Sequence, residues 1–280
     1  MGIEQWMPAH PSAEEGILPM KNRRIFITSG TLVALGLPLA MAQQPDRLTA
    51  ARKRMVIRHL EERGIKNQRV LEAFRTVPRH EFISVDVRHL AYEDESIPIG
   101  EGQTITPPYD VAFMTEALDP KPTDRVYEVG TGSGYQAAIL SRLVKEVYSV
   151  EIHKPLAEGA AKVLKKLGYD NVKSRAGDGY EGWPEASPFD AVIVTCAPEK
   201  IPAPLVEQLR EGGRMVIPIG DRYKQTVYLM VKKSGKMEQV KAIRPTLFVP
   251  MTGKAQREAA ADRSKIPSKS EISTKPQSPN

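Results

Sequence analysis

The sequence predicts an α/β fold with a doubly wound sheet, and three observations predict it. Residues 126–129 form an apolar, strand-like run, three glycines follow at 130, 132 and 134, and residues 136–143 then read as a helix. A second apolar run, 147–150, ends at Glu151, 21 residues beyond Gly130, where such folds place an acid that holds ribose hydroxyls. The alternation then repeats. Residues 155–167 are helical and closed by Gly168, and a short strand from Val172 stops at Gly177-Asp178-Gly179. Residues 190–196 are a further apolar strand, 205–209 suggest a helix, and Gly212-Gly213 leads into a strand at 215–219.

The glycine spacing narrows the ligand. The third glycine comes two residues after the second, whereas the dinucleotide fingerprint has three. This resembles the form of Rossmann-like methyltransferases that take S-adenosylmethionine; a glycine-rich turn without a ligand is the competing reading. Asp178, at a strand's carboxyl end, can accept a hydrogen bond from an adenine amino group, or can serve only as a turn aspartate between two glycines. The candidate cofactor contacts are Glu128, Gly130, Thr131, Gly132, Ser133, Gly134, Glu151, Asp178 and Gly179.

Outside this unit, helix signals at 49–62 and 67–74 predict an added amino-terminal helical segment that covers the sheet and frames a substrate site. Residues 110–118 suggest another helix, and 225–231 and 242–249 read as two later strands.

Several segments then carry a resemblance: 58–82, ending Val77-Pro78-Arg79-His80-Glu81-Phe82; Ala91-Tyr92-Glu93-Asp94; 100–109, with Gln103-Thr104-Ile105-Thr106; the glycine loop; Gly177-Asp178-Gly179-Tyr180; and Phe248-Val249-Pro250-Met251. In this order they resemble the protein-L-isoaspartate O-methyltransferases, from about Arg47 to about Gln256. The resemblance implies methyl transfer from S-adenosylmethionine to the α-carboxylate of isoaspartyl residues in damaged proteins and peptides, which are the implied partners. The ester then closes to a succinimide that reopens partly as aspartate.

A carboxylate of pKa about 3.3–3.7 is already ionised at neutral pH, so no general base or catalytic triad is required. Carboxylate and sulfonium neutralise one another in the transition state, so a useful site excludes water and aligns the reacting atoms. Thr106 matches the family's active-site hydroxyl and would orient the carboxylate by donating to one oxygen. The family's usual residue there is serine; the extra methyl of threonine stiffens the side chain. Pro107 restricts Thr106 to extended backbone. Gln103, Thr104 and Ile105 are candidates for lining the substrate pocket. A threonine that merely caps the helix at 110–118 is the alternative.

Composition excludes other chemistries. The 280 residues contain one cysteine, so no intrachain disulfide forms, and Cys196 reads as a small hydrophobe closing a strand. The five histidines show no metal-ligand spacing, so no metal is expected, and His80 reads as a solvated loop residue, with a place at the border of the substrate entrance as the alternative. Residues 43–253 are expected to form the catalytic domain, and 254–280, rich in Ser, Lys and Pro, a disordered basic tail. That tail has six Lys or Arg against three Asp or Glu, half of the net charge of +6; no specific nucleic-acid partner is therefore expected. A monomer is the expected state.

Residues 1–42 form an extension whose segment 20–42 has a secretory signal layout: Lys21-Asn22-Arg23-Arg24, an apolar run, and Leu39-Ala40-Met41-Ala42 before Gln43. Gly30, Gly36 and Pro38 argue against a stable membrane span. The family usually works in the cytoplasm, so a cytoplasmic and an exported enzyme are both open. Two other functions also stay open: methylation of RNA or a small molecule on the same fold, and a noncatalytic protein that binds the nucleoside and recognises damaged proteins.

Overall fold

The computed structural model describes residues 43–264; the signal-like segment and the tail beyond 264 lie outside them. The amino-terminal helix α1 (Gln43–Met55) runs into a wide helical turn at Val56–Glu61, closed by a bond from Glu62 N to Ile57 O of 3.0 Å. This turn places both Val56 and Leu60 in the core. Helix α2 (Gln68–Thr76) is capped by Asn67, whose side chain accepts from Arg69 N and Val70 N. These two expected helices are therefore present, the first with its last turns widened.

A two-stranded hairpin follows, β1 (Ile97–Gly100) and β2 (Gln103–Ile105), turning through Glu101 and Gly102, both at positive φ. Helix α3 (Pro108–Leu118) begins directly after it. The main unit continues as β3 (Arg125–Val129), α4 (Tyr135–Ser141), β4 (Glu146–Glu151), α5 (Lys154–Lys166), β5 (Val172–Ala176), β6 (Phe189–Val194), α6 (Ala203–Gln208) and β7 (Leu209–Gly220). Strands β8 (Gln225–Lys233) and β9 (Lys236–Thr246) close the sheet, and helix α7 is Lys254–Ser264.

The seven strands lie in the order β5-β4-β3-β6-β7-β8-β9, parallel from β5 to β7 and antiparallel for the last two. Because the chain winds outward from β3 and returns on its other side as β6, the switch point lies between those strands, where open α/β sheets bind ligands at the carboxyl edge. Alternate residues face opposite cores: Val126 packs with α2, α3 and α4, whereas Tyr127 and Val129 pack with Tyr180, Leu205 and Met251. Both faces of the central strands β3, β4 and β6 are covered, so these are buried almost throughout, whereas β5 at the sheet edge, Val-Lys-Ser-Arg-Ala, is only partly buried.

Three expectations need correction. Residues 254–264 are helical, not disordered: Ala255 packs against the second core, and α7 is tied to the sheet's loops by side-chain bonds. The last strand is 236–246 rather than 242–249; it is an exposed edge strand with polar residues on both faces, so it lacks an apolar alternation. His80 is half-buried, not solvated. Its Nδ1 lies 2.6 Å from the Tyr92 hydroxyl, and burial pulls its pKa below the ordinary histidine value, opposed by Glu81. Its neighbour Arg79 is fully buried over the Tyr135 ring, 4.7 Å from the centroid.

Candidate active site

The glycine loop builds one wall of a cleft at the switch point. Gly130, Gly132 and Gly134 have φ of 92°, 52° and 90°, a region that L side chains rarely adopt. A Cβ at Gly130 would stand 2.5 Å from Thr195 Oγ1, and that hydroxyl is itself 2.8 Å from the Val129 and Gly130 carbonyls. Glu151 ends β4 and fixes the loop: its Oε2 accepts from Gly132 N at 2.8 Å, and its Oε1 from His153 N at 3.0 Å. Beneath the loop, Ser149 Oγ donates to Glu128 Oε2 at 2.6 Å and lies 2.5 Å from Thr131 Oγ1.

The opposite wall comes from the ends of β5 and β6 and from the chain after β9. Asp178 Oδ1 accepts from Tyr180 N at 3.0 Å, and Oδ2 from Lys254 N at 2.7 Å. Gly179 packs so closely that a Cβ there would lie 2.5 Å from Val129 Cγ1. The third side is β2 with Thr106. These three sides line one cleft that opens to solvent.

Eleven of the thirteen residues named from sequence line this one cleft: Gln103, Thr104, Ile105, Thr106, Gly130, Thr131, Gly132, Ser133, Glu151, Asp178 and Gly179. Two do not. Glu128 is fully buried below the loop, and its carboxyl is pushed up to about 8 by burial, against the opposing bond from Ser149. It is a support of the loop rather than a cleft residue. Gly134 lies behind the loop, where a Cβ would approach Ala160 and Leu164 to 3.3 Å; its role is close packing on α5.

Asp178 is both a turn aspartate and a cleft residue. Thr106 is half-buried and does not cap α3: Pro107 holds the cap position without a side-chain bond, and among the described residues the Thr106 hydroxyl has no partner. Cys196 sits two residues past β6 and faces the cleft, and burial drives its thiol far above the ordinary cysteine value, which suits a hydrophobe and not a thiolate.

Sequence reasoning missed Ile152, His153, Thr195 and residues 249–252. The strand-end rule that singled out Asp178 applies equally to Thr195, one residue past β6. Residues 248–251 entered the resemblance as a matched segment, but nothing in their local pattern assigns them to the cleft, which 249–252 reach through the folded path. Among the described residues no group of three or more His, Cys, Asp or Glu could hold a metal ion, and no helix is long and apolar enough to cross a membrane.

Comparison with known proteins gives a consistent result. The family model described as protein-L-isoaspartate(D-aspartate) O-methyltransferase matches residues 51–256. A protein-L-isoaspartate O-methyltransferase of Opitutus terrae is 52% identical over 205 residues, covering 73% of this chain and 88% of that one. A solved protein-L-isoaspartate O-methyltransferase superposes with a TM-score of 0.69 at 30% identity, covering 76% of this chain and 69% of the other. A Plasmodium falciparum structure described as a β-aspartate methyltransferase in complex with S-adenosyl-L-homocysteine gives 0.60 at 25% identity, covering 73% and 98%.

Proposed function

Because the chain belongs to the protein-L-isoaspartate(D-aspartate) O-methyltransferase family, we propose that its cleft holds S-adenosylmethionine between Glu151 and Asp178 and presents the substrate carboxylate to the Thr106 hydroxyl. The protein is an S-adenosylmethionine-dependent protein carboxyl methyltransferase. It esterifies the α-carboxylate of L-isoaspartyl residues in damaged proteins and peptides, which starts repair through a succinimide.

The residues present fit a nucleoside. Glu151 and Asp178 each spend one lone pair per oxygen on a backbone N–H, so each oxygen can accept a second bond, from ribose hydroxyls and an adenine amino group respectively. Ile152, which is 40% exposed and lines the cleft, offers an apolar face beside them. When bound, S-adenosylmethionine supplies an electrophilic methyl group on a sulfonium cation.

The protein's part is then positional. Thr106 donates its hydroxyl hydrogen to one oxygen of the ionised substrate carboxylate and leaves the other free to attack. Pro107 holds Thr106 in extended backbone, and buried Ile105 and Val111 keep water from the same corner. No side chain has to remove a proton.

The observation that carries this reading is the unspent Thr106 hydroxyl in the same cleft as Glu151 and Asp178. Its test is labelled methyl transfer to a peptide with one isoaspartate beside the same peptide with aspartate. Selective, base-labile labelling is expected. Thr106→Ala should lower kcat by roughly 100-fold, the scale for losing one oriented donor, and Thr106→Ser should restore it. Equal kcat for Thr106→Ala would remove the hydroxyl from the mechanism. The compartment is a separate question set by 20–42: a mature terminus at Gln43 in a periplasmic fraction marks export, and an intact Met1 or Met20 in the cytosol marks retention.

A further inference from the structure

After β9 the chain crosses the cleft and enters α7. Residues 249–251 are stitched to the loop after β6, with Ala197 N donating to Val249 O and Met251 N to Ala197 O, each at 2.8 Å. Gly253 follows at φ 72°, pressed so closely on Asp178 and Ile152 that a Cβ would collide with the Asp178 carboxylate. Lys254 N then donates to Asp178 Oδ2. The last cleft wall therefore leads, within two residues, into the first turn of α7.

Helix α7 is fastened to the loops that carry the cleft. The Tyr180 hydroxyl donates to Glu258 Oε2 at 2.7 Å, and Lys254 Nζ lies 3.1 Å from Glu181. Tyr180 and Glu181 belong to the turn that Asp178 caps. Farther along, Arg263 pairs with Glu199 at 3.1 Å and Asp262 with Lys200 at 2.5 Å, on the segment after β6. The family match ends at residue 256, part-way along this helix, so the contacts of Glu258, Asp262 and Arg263 come from sequence beyond it. Burial, with the nearby Glu258 charge, pushes the Tyr180 hydroxyl up to about 12, which keeps it a proton donor at neutral pH.

We infer that Glu258 is a positioning residue for the cofactor: through Tyr180 it holds the Asp178 turn, and with α7 it straps residues 249–254 across the cleft. The inference rests on the reading of the cleft as the S-adenosylmethionine site. A strap of this kind sets how long the nucleoside stays bound. Chemistry at Thr106, on the other side of the cleft, is untouched.

The test uses the full chain and S-adenosyl-L-homocysteine as the probe, with affinity from calorimetry and release from stopped flow. Glu258→Ala should weaken binding roughly three- to tenfold, the scale of one hydrogen bond to a charged acceptor at a partly exposed site. Most of the loss should appear as faster release. The KM for S-adenosylmethionine should rise by the same factor with kcat unchanged, and Glu258→Gln, which keeps the acceptor oxygen, should recover most of the affinity. Amide exchange at Lys254 should quicken in Glu258→Ala. Asp178→Asn is the companion variant. If Asp178→Asn weakens binding but Glu258→Ala does not, or lowers only Tm, the strap is overturned. If Asp178→Asn leaves binding intact, the cofactor reading itself fails, and the strap with it.

Discussion

The two walls of the cleft are built in different ways. The glycine-loop wall is nearly contiguous, running from β3 through the loop to Glu151 at the end of β4, and its shape follows from backbone angles that only glycine takes easily. The facing wall assembles Asp178, Thr195, Cys196 and 249–252 from three distant segments, held by bonds between residues far apart in sequence. The first wall is fixed by what its own residues are, the second by what they meet. Substitution should therefore be punished sharply in the first and by degrees in the second.

The largest effect is expected at Gly130. Alanine there must adopt φ near 92° and bring a Cβ onto Thr195 Oγ1. Strain and overpacking together cost about 2–4 kcal/mol. Gly130→Ala should lower Tm and abolish measurable S-adenosylhomocysteine binding. A stable variant with normal affinity would show that the loop's angles are not what shapes this wall.

On the second wall the matching test is Gln225. Its buried side chain accepts from Phe248 N at 2.6 Å and donates to Phe248 O at 3.0 Å, which ties the start of the crossing segment to β8. Gln225→Ala leaves that backbone unpartnered, at about 1–3 kcal/mol. The expected outcome is a folded enzyme with a raised KM for S-adenosylmethionine and kcat little changed. Loss of kcat with unchanged KM would mean that 248–252 serves the substrate and not the cofactor.

The same contrast explains what could be read in advance. The loop, Glu151, Asp178 and Thr106 were legible because strand, turn and acid follow at fixed spacing, and because the resemblance placed Thr106. Within that unit spacing could not separate residues on the cleft from those beneath it, so Glu128 and Gly134 were counted as contacts although one is buried below the loop and the other packs on α5. The β1–β2 hairpin had a signal in Glu101-Gly102 that was not used. The first half of strand β9, 236–241, lacked a signal because an edge strand exposed on both faces has no reason to alternate, so the strand was placed late at 242–249. For α7, the helix-forming run Ala259-Ala260-Ala261 was outweighed by the Ser, Lys and Pro that follow in the same tail.

Glu128 sharpens the comparison through pH. Burial raises its carboxyl to about 8, so the folded chain keeps a proton that the unfolded chain releases near 4.5. Below that lower value both states are protonated and the group leaves stability unaltered. Between about 4.5 and 8 the native state binds more protons, so stability declines as pH rises, by up to about 1.4 kcal/mol per pH unit; above 8 the decline ends. Glu128→Gln cannot release the proton, so its Tm should fall less than wild type across that window. Parallel Tm curves would show that Glu128 is ionised beneath the loop.

The smallest effect is expected at Lys200, which meets Asp262 of α7 at 2.5 Å but stands 78% exposed at its side chain. Exposed pairs gain little in water, are screened by salt, and must order two flexible side chains. Asp262 also has further interactions, and α7 keeps its bonds from Tyr180 and Arg263 and the one between Lys254 N and Asp178. Lys200→Ala should therefore leave Tm and cofactor affinity within measurement error, in low salt and high salt alike. If it instead weakens S-adenosylhomocysteine binding as much as Glu258→Ala, the far end of α7 bears on the cleft as strongly as the near end. The second wall would then be one cooperative unit rather than a set of separable bonds.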